Sequence, residues 1–248
     1  MDRFFVAPDA LQGDTAELDR ELSHRLRHVL RLRRGDRIIL VDGRGCEYEA
    51  VLEDVSGPTV RVAVLSRHEG LPEPQARVVL YQSIIKGDRF DWVLEKGTEI
   101  GVAKFVPLVS HRGVVRPRTG RVERRERWRR IVTEAAEQCG RSHLPDLAPA
   151  VSLSDALESA EGLRLLPWEG ERQTTLRQAL RQAVGKGKKT PVISIFVGPE
   201  GGFARQEVDR AVDLGVLTVS LGPRILRSET AGVVAAAAAL YELGELGA

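Results

Sequence analysis

VISIFVGPEGGFARQEVDRAV, residues 192–212, sets an apolar, β-branched run against a glycine turn and then a stretch with helical spacing. That succession of strand, tight turn and helix is the repeating step of an α/β fold. The turn, Gly198 to Phe203, does not read as a phosphate cradle. A dinucleotide fingerprint needs G-x-G-x-x-G on the first strand-to-helix turn, and a P-loop needs G-x-x-x-x-G-K-[ST]. Gly198, Gly201 and Gly202 have neither spacing, and the turn comes late in the chain. Pro199 lacks an N–H, and Glu200 places negative charge where an anion would sit. Such a turn suits hydroxyls, an amine or a cationic ligand.

The same alternation extends in both directions. RVVLYQSII, KFVPLVS, LRLLP and LTVSL read as further strands. DRFDWVLEKGTEIG, a long stretch from about Val122 to Cys139, TLRQALRQAV, RQEVDRAVDLG and the alanine-rich C-terminal segment read as helices. Strands alternating with helices imply a largely parallel sheet with helices on its faces. Ligands of such sheets bind at the carboxyl ends of the strands. Three strand-end loops qualify: Gly198–Phe203, Leu221–Ala231 and Leu166–Gly170. Ser228 is expected to cap the last helix, with Glu229 favourable in its first turn. Ala231, Ala235, Ala238 and Ala239 would let another element approach that helix closely. In the long helix, Trp128, Ile131, Val132, Ala135 and Cys139 form a stripe for the core.

Residues 1–66 differ, with one helical stretch among short strands divided by Asp42-Gly43-Arg44-Gly45 and Ser56-Gly57-Pro58. The polar segment 67–76, with Pro72 and Pro74, marks the boundary between a domain of residues 1–70 and one of residues 76–248.

Composition bounds the function. With 42% hydrophobic and 29% charged residues, the 248-residue chain is that of an ordinary soluble protein. Its longest uncharged apolar run, 232–241, is short of the ~20 residues a bilayer span needs, so a cytoplasmic location is expected. Cys46 and Cys139 make no metal or disulfide pattern. His24 and His28 share a helical spacing without a third ligand, so no metal is expected. The net charge is only +2, but arginines cluster at 25–37 and 112–130. Their planar forks suit the phosphates of a nucleic acid.

Taken in order, HRLRHVLRLRRGD and DGRG in the first module, then QSIIKGDRFDWVLEKGTEIGV, EAAEQCGRS, FVGPEGGF and LGPRILRSETA, resemble the RsmE-type methyltransferases of the SPOUT superfamily. The motifs span most of the chain, and the last two are highly specific together. The resemblance implies a PUA-like RNA-binding β-barrel followed by a SPOUT domain, whose parallel sheet has helices on both faces and a C-terminal trefoil knot. It further implies S-adenosylmethionine as cofactor, a homodimer, and methylation of N3 of a uridine, U1498, in 16S ribosomal RNA of the small subunit.

Carried over by position, Gly198, Glu200, Gly201 and Gly202 would lie along the cofactor. Leu221, Gly222, Ile225 and Leu226 would close round its adenine, and Leu166 and Pro167 would form the remaining wall. Arg224 and Thr230 would stand near the transferred methyl, with Arg227 stabilising a uracil anion and Glu229 as base or orienter. On the RNA side would lie Arg25, Arg27, Arg31, Arg33, Arg34, Lys86, Arg89, Glu95, Glu99, Arg112, Arg116, Arg118, Gln138 and Arg141. One departure is Ala204, where the family often has Ser or Thr. Glu207 should then lack its capping-box partner, at about 1 kcal/mol. Methylation of another RNA site, a non-catalytic ribosome assembly role and a nicotinamide dehydrogenase are the competing readings, the last already opposed by the glycine spacing.

Overall fold

A computed structural model describes residues 1–11, 13–113, 121–184 and 192–247, which divide into two compact units. The first comprises Met1–Glu73 together with Ala136–Leu144. Its five strands are β1 (Arg3–Phe5), β2 (Thr15–Glu17), β3 (Arg37–Val41), β4 (Cys46–Asp54) and β5 (Arg61–Glu69), in the order β1-β3-β4-β5-β2. β1 and β3 run parallel, and the other neighbours are antiparallel, making a half-barrel. Bulges in the β4–β5 ladder near Glu49 and Leu52 add the local twist that bends such a sheet. Helix α1 (Arg20–His24) starts where the Asp19 carboxylate accepts the Leu22 N–H at 2.8 Å, and a wider π turn, Arg25–Val29, continues it. Leu22 and Leu26 from this segment meet Phe4, Leu18, Ile38, Leu40, Leu52 and Val62 in one core. Strand β2 is too short to show an alternating pattern in the sequence and gains its identity from pairing with β5.

Residues 136–144 carry the polar joints of this unit. Glu137 accepts the Phe5 N–H at 3.2 Å and pairs with Arg25 at 2.8 Å. The Ser142 hydroxyl and Arg3 both donate to the buried Glu47 carboxylate. Burial pushes the Glu47 carboxyl up, but Arg3 and Ser142 outweigh it and hold the group below the usual range.

The second unit, Pro74–Ala135 and Pro145–Ala248, holds the parallel sheet. Its strands are β6 (Arg77–Ser83), β7 (Lys104–Val109), β8 (Asp146–Leu147), β9 (Val151–Ser152), β10 (Leu163–Pro167), β11 (Val192–Val197) and β12 (Leu217–Val219). The order is β12-β10-β11-β6-β7-β8, with β9 also pairing β7 and every pair parallel. The helices are α2 (Arg89–Glu99), α3 (Arg121–Cys139), α4 (Leu153–Ser159), α5 (Leu176–Val184), α6 (Arg205–Asp213) and α7 (Ser228–Glu242).

Central strands covered on both faces need apolar side chains at every position, and β6 and β11 are buried almost throughout. Val78, Leu80, Ile193 and Ile195 point into a core shared with Phe90, Trp128, Ala235 and Ala239. Val79, Tyr81 and Phe196 point to the opposite face, against Leu108, Leu157, Phe203 and Val208. Of the stripe expected on α3, Trp128, Val132 and Ala135 are buried, while Ile131 is half-buried and Cys139 falls in the segment grouped with the first unit. The alanines of α7 are inward contacts: Ala235 and Ala239 are fully buried, and the helix packs on α2, α5, β6 and β11. Among the described residues no helix is long and apolar enough to cross a membrane.

Candidate functional site

β12, β10 and β11 are neighbours, so the segments leaving their carboxyl ends converge. They enclose a cavity of about 540 Å³. Each of the three walls has its own construction.

The turn after β11 is heavily tied. Gly202 N–H donates to Pro199 O at 2.9 Å, closing the turn, and Gly202 has φ +65°, where a side chain would be strained. A Cβ at Gly198 would come within 3.0 Å of the Phe203 nitrogen. The Glu200 carboxylate accepts the Lys86 N–H at 3.1 Å and pairs with Arg89 at 3.4 Å. Its charge is thus partly spent on the β6–α2 loop. Arg112 donates to the Gly201 carbonyl at 3.0 Å, bringing the segment after β7 onto the same turn.

The wall after β10 is formed by Pro167, Trp168, Glu169 and Arg172. It is pinned by Glu171, whose carboxylate accepts from the Thr218 hydroxyl at 2.6 Å, Gln173 N–H at 2.7 Å and Thr174 N–H at 3.1 Å. Those hydrogen bonds, the Thr218 hydroxyl foremost, hold the Glu171 carboxyl at about 2. The Arg205 guanidinium lies over the Trp168 ring at 5.2 Å from its centroid.

The wall after β12 is tied at Ser220, whose N–H donates to Thr174 O at 2.8 Å and whose carbonyl accepts the Leu176 N–H at 3.1 Å, but is barely braced from Leu221 to Leu226. Gly222 has φ +117° and open space where a Cβ would project, and Ile225 is 84% exposed. The side chains of Arg224 and Arg227 are exposed and make no ion pair or hydrogen bond among the described residues. Glu229, half-buried in the first turn of α7, has a buried Oε2 without a partner. Unpaired cations and an unsatisfied carboxylate oxygen lining one cavity are what a site awaiting a polar ligand presents.

Of the residues singled out from the sequence, Pro167, Gly198, Glu200, Gly201, Gly202, Leu221, Gly222, Arg224, Ile225, Leu226, Arg227 and Glu229 line this cavity. Leu166 and Thr230 do not. Leu166 is fully buried in the core beneath, and Thr230 is half-buried within α7. Ser228 is no cap: Arg227 occupies the cap position, and the Ser228 hydroxyl donates instead to the Gly198 carbonyl. Glu207 keeps its half of the capping box by accepting the Ala204 N–H at 2.7 Å, and its other oxygen takes the His111 N–H at 2.9 Å. Only the hydroxyl's contribution is lost there, since alanine has no oxygen to offer.

Arg89, placed by the sequence on the RNA side, lines the cavity. Several other arginines are engaged by the protein's own acceptors. Arg27 donates to the carbonyls of Gly57 and Pro58, Arg127 pairs with Asp88 and Asp91, and Arg141 is 8% exposed with its fork on the Glu73 carboxylate. The Arg141 fork is engaged with Glu73, so fewer of its donors remain for a phosphate. Arg31, Arg33, Arg34, Lys86 and Gln138 are exposed, whereas Arg116 and Arg118 lie outside the described residues. Trp168, Glu169, Arg172 and Ser220 also line the cavity. Their only sequence signal is adjacency to the strand ends. The ring centroids of His24 and His28 lie 4.6 Å apart, with the rings tilted by 39°, and no cluster suited to a metal occurs among the described residues.

Residues 72–240 match the model of an RNA methyltransferase domain, and residues 18–65 that of an RNA methyltransferase PUA domain. The ribosomal RNA small subunit methyltransferase E of Synechocystis is 35% identical over 95% of this chain and 76% of its own length. That of Bacillus subtilis is 31% identical over 98% and 97%. The crystal structure of the Neisseria gonorrhoeae methyltransferase E bound to S-adenosyl methionine superposes with a TM-score of 0.85 at 32% identity, covering 97% of both chains. A Legionella pneumophila structure with bound cofactor SAM gives 0.88 at 30% identity over the same shares. A strand-end cavity of this make, on a chain similar to such proteins over nearly its whole length, places it: the chain belongs to the ribosomal RNA small subunit methyltransferase E family.

Proposed function

We propose that the chain transfers the methyl group of S-adenosylmethionine to N3 of a uridine in 16S ribosomal RNA. The observation that carries this reading is the cavity itself. Two glycine turns and a tryptophan-bearing loop enclose it, with the unpaired Arg224 and Arg227 and the buried Glu229 oxygen on one side. The residues fit the cofactor. Room for a bent ligand exists because Gly198 and Gly202 carry no side chains. Pro199, which has no N–H, and the Glu169 carboxylate, which has no side-chain partner among the described residues, argue against a phosphate. The relatives solved with S-adenosyl methionine support the same assignment.

When bound, the cofactor supplies an electrophilic methyl on a sulfonium. The chain's task is to present a nitrogen to it. The N3–H bond breaks, the N3–carbon bond forms, and the carbon–sulfur bond breaks, leaving S-adenosylhomocysteine. Arg227 stabilises the negative charge that develops on the uracil, and Glu229 receives or orients the departing proton. Exposed Arg31 and Arg33 on the first unit contribute phosphate contacts that hold the RNA without touching the cofactor.

The homodimer and the trefoil knot implied by the family are proposed on the same footing. Trp92, Val234 and Tyr241 are exposed on α2 and α7, which supports a self-association face. The chain leaves edge strand β12 and returns as α7 onto β6 and β11, a path compatible with threading.

The test is mass-spectrometric mapping of ribosomal RNA, free and in assembled small subunits, after incubation with protein and methyl-labelled cofactor. Label on a uridine N3 is expected. Label on a ribose hydroxyl would move the activity to another RNA target, and binding without turnover on either substrate would favour an assembly role.

A further inference from the structure

Gln82 stands at the carboxyl end of β6, beside β11, and is 1% exposed. A fully buried amide on a strand whose other inward residues are Val78 and Leu80 needs a reason, because an apolar side chain there would bury no polar atoms. Its contacts supply one. The Nε2 group donates to the Ser228 hydroxyl at 2.9 Å and to the Ser83 carbonyl at 3.3 Å. Ser228 has a single hydroxyl proton, which goes to the Gly198 carbonyl, so its oxygen is free to accept from Gln82.

The chain Gln82 to Ser228 to Gly198 therefore joins three segments: the end of β6, the first residue of α7, and the turn after β11. Both Ser228 and Gly198 line the cavity. A second feature makes room for the amide. Gly232 is buried within α7, a poor position for glycine on helix propensity alone, and a Cβ there would come within 2.5 Å of Gln82 Oε1.

We infer that Gln82 is a positioning residue, which orients the Ser228 hydroxyl onto the Gly198 carbonyl and so fixes the Gly198 turn against the start of α7 as a preformed cofactor wall. The inference rests on the cofactor reading of the cavity. Gln82 acts through Ser228, and its loss leaves the hydroxyl free to rotate and the Gly198 carbonyl without a fixed donor.

Calorimetry with S-adenosylmethionine on the full chain tests this. Gln82→Met keeps the length and apolar stem of the side chain, and Ser228→Ala removes the hydroxyl. Each should weaken binding about tenfold, and the double variant no more than the weaker single, because the two changes break one chain. In methyl transfer, the KM for the cofactor should rise by more than kcat falls. Gly232→Ala reaches the amide from α7 and should weaken binding similarly, so the inference stays testable if Gln82→Met does not fold. Unaltered affinity in the variants, or effects that multiply in the double, would overturn the inference. If the wild-type chain does not bind the cofactor, the reading beneath it fails, and the inference with it.

Discussion

The two glycine turns of the cavity start from similar sequences, an apolar strand followed by Gly-Pro, yet they are built in opposite ways. The turn Gly198–Phe203 is held by Ser228, Arg112, Arg89 and the Lys86 N–H. The turn Gly222–Arg227 has only weak bonds between Gly222 and the Ser220 hydroxyl, at 3.3 and 3.4 Å, until its Arg227 carbonyl accepts the Ala231 N–H of α7. It presents an exposed isoleucine and two arginines whose side chains have no partner among the described residues. A braced wall can offer a fixed shape before any ligand arrives. An unbraced one keeps its charges available for the reacting groups. In the proposed reaction the braced turn serves cofactor binding and Arg227 of the bare turn serves methyl transfer, a division that can be tested from either side.

The largest effect should come from the bare turn. Arg227→Ala is expected to lower kcat for RNA methylation by about 100-fold or more, with cofactor affinity within about threefold of wild type. A normal kcat would reduce Arg227 to a turn residue. Next comes an alanine at each turn's first glycine. Gly198→Ala must displace the Phe203 backbone at 3.0 Å and should cost about 1–3 kcal/mol in chemical denaturation, together with much of the cofactor affinity. Gly222→Ala meets no atom and faces only the strain of φ +117°, about 1–2 kcal/mol, with smaller loss of affinity. Equal losses of affinity at both sites would erase the contrast. Unbracing the first turn by Arg112→Ala should be milder, a fewfold rise in the cofactor Kd by calorimetry, since the bond is exposed.

The smallest effect concerns acid. Glu171 has its carboxyl depressed to about 2, so its contribution to stability is complete above the ordinary carboxylate range near pH 4.5 and is lost as pH falls toward 2. Within that window Glu171→Gln should flatten the acid-induced fall in thermal midpoint, while at neutral pH it should lower the midpoint slightly. An unchanged acid profile would mean that Glu171 does not anchor the wall after β10.

Much of this was legible from residues alone. VISIFV and RVVLYQS had to be strands because their branched apolar runs are too short for buried helices, and the turn residues after them had to lie at one end of a parallel sheet. The site was legible to the same extent, since strand-end loops follow from topology. What could not be read was which polar groups meet. Arginine-rich stretches look alike whether a guanidinium faces solvent, as Arg31 does, or grips two carboxylates, as Arg127 does. Glu200 looked like a ligand for a cation and turns out to hold Arg89 and a backbone N–H from residues more than a hundred positions earlier. Ser228 read as a helix cap from its neighbours and is instead a bridge to Gly198.

The sequence by itself determined the α/β alternation, the strand-end position of the glycine turns and the exclusion of a phosphate cradle. Periodicity, β-branching, a missing N–H and a fixed carboxylate are properties of consecutive residues. Only the tertiary structure decided that residues 136–144 belong with the first unit, that Gln82 faces Gly232, and that one glycine turn is braced while the other is bare. Hydrogen bonds and close approaches between distant segments depend on distances of a few ångströms, and those exist only once the sheet has set its order and register.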